Sequence, residues 1–350
     1  MRTDTTAPVP VPPEVVAAYG LSADAVVQPL GTGLINTTWK VDTAAASFVL
    51  QEVNLRVFPH PEQIHENLRM IRAYLRAHAP DYPFIAPLPA LNGTDLLRLP
   101  DGRVFRLFTF VEGSHTVAVA TTPEQAYEAA FQFGRFTAVL AGFDTGCLQV
   151  PLPDFHNLSL RYEQLLQSLR TGNPKRINRA GPLIQALLSK EPLVQQYRSV
   201  TRNPSFPLRV MHHDTKISNV LLDANGRGVA VIDLDTVMPG YFFSDVGDMM
   251  RTYLCPVSEE ESDFSRIFVR EDYYTAICTG YEDAMGDLLT EAERRSFFLA
   301  GQFLIYMQAL RFLTDYLKGD VYYGSAFEEQ NFLRAGNQFT LLQRYTEMEG

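Results

Sequence analysis

Asp214, Lys216, Asn219, Asp233 and Asp235 fall within one stretch, residues 210–235, that reads VMHHDTKISNVLLDANGRGVAVIDLD. Their types suit one chemistry, the transfer of a phosphoryl group to a hydroxyl. An acceptor hydroxyl needs a carboxylate within hydrogen-bond reach to orient it and take its proton, a role that fits Asp214. Mg²⁺ is a hard cation that takes oxygen ligands, so the Asn219 carbonyl oxygen and the Asp233 carboxylate suit it where His or Cys would not. Lys216 is a cation placed to meet the oxygens of the group in transit.

The elements that must position these residues are legible around them. An apolar run through Val210 and Met211 predicts a strand entering a polar loop. Val220-Leu221-Leu222 and Val229-Ala230-Val231-Ile232 predict a hairpin that reverses at Asp223-Ala224-Asn225-Gly226. Its arms bring Asp214, Asn219 and Asp233 towards one point. H-x-D-x-x-x-x-N, followed by an Asp beyond the next hairpin, is the spacing of the catalytic loop in enzymes with a protein-kinase-like fold. Two rival readings use the same residues. In one, His212 and Asp214 cap a turn while Asn219 satisfies backbone groups; in the other, His212-His213-Asp214 are ligands of a metal hydrolase. The I-D-x-D at hairpin distance favours phosphoryl transfer.

Upstream, residues 26–30 and 37–41 read as strands flanking Gly31-Thr32-Gly33-Leu34-Ile35-Asn36. Strand, glycine turn and strand form a flap whose amides approach phosphate with no side chain in the way. Gly31, Thr32, Gly33 and Asn36 are therefore candidate nucleotide contacts. Residues 47–51 make a third strand, and Gln51 stands where protein kinases carry a phosphate-binding lysine. Either Gln51 bonds phosphate as a neutral donor, or Lys40 or Arg56 supplies the charge, or Lys216 takes over part of the task. An amphipathic helix over 62–78 carries Ile64, Leu68, Ile71 and Leu75 on one face. On it, Glu66 is either an anchor for the strand residue or an exposed side chain. Residues 96–99 and 103–111 form another hairpin. Phe110 and Glu112 lie in the connection between lobes, where backbone amides would meet the nucleotide base.

The second half reads as mostly helical. Helices are expected over 123–141, 158–169, 183–200 with a break near Pro192, 271–282, 291–316 and 327–348. Residues 171–179, with Lys175, Arg176 and Arg179, read as a basic loop, and Met238-Pro239-Gly240 as a turn. Asp245 is a candidate helix N-cap and Asp248 a brace for the catalytic loop. The expected architecture is α+β, a two-lobed protein-kinase-like fold. It divides into an N-terminal arm and short helix (1–20), a β-rich nucleotide-binding lobe (21–112) and a larger, mainly helical catalytic and substrate-binding lobe (113–350).

Composition narrows the partners. The 350 residues are 46% hydrophobic and 20% charged, with ample material for a core. A formal net charge of −10 argues against nucleic acid or an anionic membrane surface. Cys147, Cys255 and Cys278 form no C-x-x-C pair, which fits reduced thiols in the cytoplasm. The first twenty residues lack a signal-peptide run, and no segment offers eighteen unbroken apolar residues.

With these residues in view, the chain resembles the aminoglycoside phosphotransferase and choline kinase superfamily, and within it the N-acetylhexosamine 1-kinases. The likeness runs from the Gly31 hairpin to the C-terminus through LQEVN (50–54), FGRFTAVLAGFD (133–144), PDFHNLSLRY (153–162), HHDTKISNVLLD (212–223), IDLDTVMPG (232–240) and RFLTDYLKGDVYY (311–323). The PDFHN and RFLTDYL stretches are not general kinase features and carry the subfamily assignment. The resemblance implies Asp214 as base towards a sugar anomeric hydroxyl, Asn219 and Asp233 as Mg²⁺ ligands, and Asp235 near metal or sugar. It implies that Arg311 and Tyr322 or Tyr323 face the hexose. The reaction implied is transfer of the ATP γ-phosphoryl group to the 1-hydroxyl of N-acetylglucosamine or N-acetylgalactosamine. Two alternatives stand beside it: a kinase for an amino alcohol, homoserine or an aminoglycoside, and a nucleotide-binding pseudoenzyme, motivated by the missing strand lysine.

Overall fold

The computed structural model describes residues 10–31 and 35–348. Thr32, Gly33 and the first part of the expected arm lie outside them. The chain opens with α1 (Pro13–Ala18), then β1 (Val26–Pro29), β2 (Thr37–Asp42) and β3 (Ser47–Glu52). α2 (Pro61–His78), β4 (Leu97–Arg98) and β5 (Val104–Thr109) complete the smaller lobe. The five strands form one antiparallel sheet in the order β1-β2-β3-β5-β4. One face of the sheet buries Trp39, Val41, Leu50, Phe105 and Leu107. Val15 and Tyr19 of the α1 region pack into the same cluster, and the Tyr19 hydroxyl donates to the Phe105 carbonyl at 3.1 Å. The expected short N-terminal helix is thus docked on the sheet.

The larger lobe is helical, as the pattern predicts: α3 (Pro123–Val139), α4 (Leu158–Thr171), α5 (Pro174–Arg179), α6 (Gly181–Leu188) and α7 (Glu191–Val200) precede the catalytic stretch. α3 starts sharply because Thr122 accepts from the Gln125 amide and Pro123 occupies the first turn. Its buried face is Ala126, Ala129, Ala130, Phe133 and Phe136, residues at helical spacing. The catalytic stretch folds as β6 (Arg209–Met211), β7 (Val220–Leu222), β8 (Gly228–Val231) and β9 (Met238–Gly240). After it come α8 (Phe242–Tyr253), α9 (Glu271–Met285), α10 (Glu291–Arg294), α11 (Phe297–Lys318) and α12 (Gln330–Glu347). By length and composition α11 could cross a membrane, but 78% of its apolar window is buried in the core of this lobe.

Three expectations need correction. The basic stretch expected as a loop forms α5, because Asn173 accepts from the amides of Lys175 and Arg176 and Pro174 sets the first turn. The helix expected over 291–316 breaks at Arg295-Ser296. There the Ser296 hydroxyl takes the Ala292 carbonyl at 2.7 Å, and the Ser296 amide turns to Glu293 instead. Met238-Pro239-Gly240 is a strand, β9, antiparallel to β6. Gly240 is required there, since a Cβ would lie 2.4 Å from the His213 ring.

The helices of this lobe approach closely at a few small residues. At Gly280, where α9 crosses α3, an added Cβ would meet the Tyr127 carbonyl oxygen at 2.4 Å. Replacing a helical glycine by alanine ordinarily gains about 1 kcal/mol of propensity. Overpacking against backbone that cannot rotate away costs about 1–3 kcal/mol, so the clash should win. Gly280→Ala should therefore lower the chemical denaturation midpoint, and a raised midpoint would contradict this packing.

Candidate active site

The loop between β6 and β7 is held by its backbone. Asp245 is fully buried within α8 and accepts from the amides of His212 (3.0 Å) and His213 (2.7 Å). It is therefore a brace for the loop; the helix N-cap is Tyr241, contrary to expectation. Asp248, one turn further on, accepts from the Thr215 amide at 2.9 Å and pairs with Arg251 at 2.9 Å, which bears out its bracing role. Thr236 donates its hydroxyl to the His212 carbonyl, and Tyr253 donates to the Thr215 carbonyl. His213 sits at φ 66° and Asp233 at φ 59°, left-handed conformations that only a tightly determined backbone sustains.

The two histidines are structural. His212 is buried edge-on against Phe133, and its Nε2 bonds the Ile232 carbonyl at 2.9 Å. His213 Nδ1 bonds the Met211 carbonyl at 3.2 Å. Burial lowers the pKa of both, His213 to about 4, so both rings are neutral near pH 7. His212 Nδ1 accepts from the Asp214 amide at 3.3 Å, so both nitrogens of that ring are taken, and no group of three or more His, Cys, Asp or Glu that could hold a metal forms among the described residues, which counts against the metal-hydrolase reading.

Asp214, Lys216, Asn219 and Asp233 do converge. Lys216 Nζ lies 3.1 Å from Asp214 Oδ2. The Asn219 side-chain nitrogen donates to the Asp214 backbone carbonyl (2.8 Å) and carboxylate (3.2 Å), and the Ile232 amide closes onto the Asn219 backbone carbonyl at 2.9 Å. The β7–β8 register, Val220 opposite Val231, sets Asn219 beside Asp233. Asp214 and Lys216 line a broad cavity of about 1560 Å³, and Asn219 and Asp233 line a second of about 450 Å³. Ser218 borders both, so the loop is the partition between them.

The smaller cavity lies between the lobes. Leu30, Gly31 and Val49 border it on the sheet side, Phe110 at the connection, and Leu221 and Ile232 from the hairpin. Gln51 also faces it. The Glu112 side chain is exposed and does not line it. Asn36 is buried and spans the lobes: its side chain donates to Asp235 (3.0 Å) and accepts from the Asn54 amide. Asp235, expected near metal or sugar, lines the smaller cavity and is absent from the larger one. Both of its oxygens are taken up by Arg106 of β5. Glu66 faces solvent and pairs with Arg69, so it anchors nothing in the cleft.

Arg106 was not singled out by the sequence. It is fully buried, and its Nε and Nη2 donate to Gln51 Oε1 at 3.0 and 2.8 Å. The one available signal was a charged residue inside the otherwise apolar strand VFRLFT.

Asp233 suits a divalent cation. Burial, with the charges of Asp235 and Asp214 beside it, pushes its carboxyl upward from the ordinary range. No hydrogen bond or ion pair among the described residues reaches that carboxylate. Burial pushes Asp235 upward too, but the Arg106 charge and hydrogen bonds, with the Asn36 hydrogen bond and the nearby His65, together hold it low. The nitrogen of the Asn219 amide is spent on Asp214, which leaves its oxygen for a hard cation. The described residues form no cage of three or more His, Cys, Asp or Glu, so water and phosphate would complete the coordination.

In the larger cavity, Arg311 lies among the rings of Phe155, Tyr322 and Tyr323 at 5.4–5.6 Å. Its hydrogen bonds go to Gln308 and the Tyr322 hydroxyl. Tyr322 is 71% exposed at the rim, while Tyr323 packs against Phe312. Removing the loop brace should be costly. Asp245→Ala leaves two buried amides without acceptors, about 1–3 kcal/mol each. Denaturant titration should show a loss of about 2–6 kcal/mol, and a loss below about 0.5 kcal/mol would contradict the bracing role.

Solved structures with this fold include an aminoglycoside phosphotransferase from Alicyclobacillus acidocaldarius, 15% identical, matched over 99% of this chain and 98% of that one with a TM-score of 0.62. A microcompartment-associated aminopropanol kinase is 16% identical over 96% and 97%, with a TM-score of 0.60. An amicoumacin kinase in complex with AMP-PNP, Ca²⁺ and Ami is 16% identical over 92% and 91%, with a TM-score of 0.57. At such identities the likeness is one of fold, and it supports the two-lobed kinase-like architecture. The family model described as "Phosphotransferase enzyme family" (APH) matches residues 26–283, well over half of the sequence. With the loop and the Asn219–Asp233 geometry inside the matched span, the chain belongs to the phosphotransferase enzyme family.

Proposed function

We propose that the protein is a kinase that transfers the γ-phosphoryl group of a Mg²⁺-bound nucleotide, ATP in our reading, to the 1-hydroxyl of an N-acetylhexosamine. The observation that carries the phosphotransfer reading is the loop from Asp214 to Asn219, which separates a smaller cavity between the lobes from a larger one. Bound Mg²⁺ would neutralise charge on the phosphates, and Asn219 and Asp233 would hold it. Asp214 orients the acceptor hydroxyl and takes its proton, while Lys216 holds the Asp214 carboxylate and offers its charge to the transferred oxygens. The transition state is loose, so fixed positions and fixed charges do most of the work.

The acceptor side favours a neutral, oxygen-rich substrate. A polycationic acceptor needs free carboxylates, and those lining the larger cavity are mostly committed. Asp248 pairs with Arg251, Glu259 with Arg251 and Arg334, and Asp315 accepts from the amides of Tyr322 and Tyr323. Arg311, in none of the described ion pairs, offers donors to sugar oxygens, and the rings around it suit a pyranose face. One observation favours the second reading, a larger hydroxyl compound. The cavity of about 1560 Å³ exceeds the roughly 300–1,000 Å³ typical of small-ligand sites.

An acceptor panel of N-acetylglucosamine, N-acetylgalactosamine, plain hexoses, amino alcohols and aminoglycosides, followed by nucleotide consumption and ³¹P NMR, separates these readings. A sugar 1-phosphate is expected, and turnover confined to cationic acceptors would overturn the sugar assignment. Asp214→Asn should lower kcat by about 10²–10⁴-fold while nucleotide affinity stays within about threefold. Normal turnover in that variant would remove the base assignment.

A further inference from the structure

We propose that Arg106 is the cation that meets the nucleotide phosphates, acting from β5 in place of the lysine that β3 lacks. The inference rests on the kinase reading and deepens it. The sequence offered Gln51, Lys40, Arg56 and Lys216 for this task. Lys40 pairs with Asp42 at 2.8 Å, lies over the Phe110 ring and does not line the smaller cavity. Arg56 and Lys216 line the larger one. Gln51 faces the right space, but its carbonyl oxygen accepts from Arg106 and its nitrogen donates to Thr38 at 3.2 Å. Gln51 and Arg106 sit opposite each other across the β3–β5 ladder. The cation has moved one strand over, and the residue at the old place now aims it.

The donors of Arg106 can be followed individually. A guanidinium carries five N–H groups. Nε and Nη2 each give one to Gln51, and Nη2 and Nη1 each give one to Asp235. One Nη1–H is left, and Arg106 borders the smaller cavity together with Asp233 and Asp235. On the α2 side His65 feels the Arg106 charge, and its ring nitrogens have no hydrogen-bond partner among the described residues. His65 is neutral, its pKa pushed to about 3 by burial and by the Arg106 charge. The ion pair that kinases build within the small lobe is therefore replaced by one that crosses the cleft, from β5 to the turn that carries Asp233. Paired with Asp235, Arg106 has little net charge to offer at long range. What it offers is one fixed, charge-assisted N–H, worth roughly 10- to 100-fold in affinity.

The test compares binding of adenosine with that of Mg²⁺-ADP, or guanosine with Mg²⁺-GDP if the wild type prefers it, by calorimetry. Arg106→Met should weaken the diphosphate about 10- to 100-fold and leave the nucleoside within about twofold, with Arg106→Lys recovering part of the loss. If Arg106→Met does not fold because Asp235 is left buried and unpaired, the double variant Arg106→Met/Asp235→Leu removes both charges together, and the same divergence is expected. Unchanged diphosphate affinity, or equal losses for nucleoside and diphosphate, would overturn the assignment of Arg106 while leaving the kinase reading intact. A wild-type chain that binds neither ligand would overturn both.

Discussion

Five aspartates crowd around the catalytic loop, and their mutual repulsion is the constraint that the surrounding structure must meet. After burial, the charges of Asp235 and Asp214 help push Asp233 upward, those of Asp248 and Asp214 do the same to Asp245, and that of Asp214 to Asp248. Two like charges about 4 Å apart at an effective dielectric constant near 20 repel by on the order of 4 kcal/mol, so a crowd of carboxylates needs neutralising partners. Lys216 pairs with Asp214, Arg106 with Asp235 and Arg251 with Asp248. Asp245 is served by two backbone amides. Asp233 alone has no direct hydrogen-bond or ion-pair partner among the described residues, and that is where the proposed divalent cation would sit.

The same contacts make the loop rigid and tie the lobes together. Asp245 and Asp248 fix the loop from below through backbone amides, so its shape depends on α8 more than on its own side chains. The Arg106–Asp235 pair and the Asn36–Asp235 hydrogen bond join the sheet to the far end of the β7–β8 hairpin. Nucleotide would therefore enter a cleft whose two walls are already in register. Ordering that cleft in advance lowers the entropy that binding and alignment would otherwise cost.

The sequence revealed most of the fold because its signals are local. Helical spacing in α2, α3 and α11 and the Asn-Gly reversal between β7 and β8 are properties of neighbouring residues. Asp214, Lys216 and Asn219 were legible for the same reason, since one short loop carries them. Arg106 was not, because its meaning lies in pairing with Gln51 across β3–β5 and with Asp235 across the cleft, far away along the chain. Asp235, expected near metal or sugar, lines the smaller cavity with Asp233, but its pairing with an arginine across the cleft was hidden for the same reason. The helix α5 was missed although Asn173-Pro174 is a start signal, because its basic residues suggested solvent. The break before α11 turned on one hydroxyl, that of Ser296.

The proposed reaction depends on a divalent cation shared by Asn219 and Asp233, with Asp214 across the partition. Its most direct test is a crystal structure with Mn²⁺ and a non-hydrolysable nucleotide triphosphate, located by anomalous scattering. The account predicts a manganese peak within coordinating distance of Asp233 and the Asn219 oxygen, bridged to the nucleotide phosphates. A peak on the histidines of the loop, or nucleotide bound with no metal at Asp233, would contradict it.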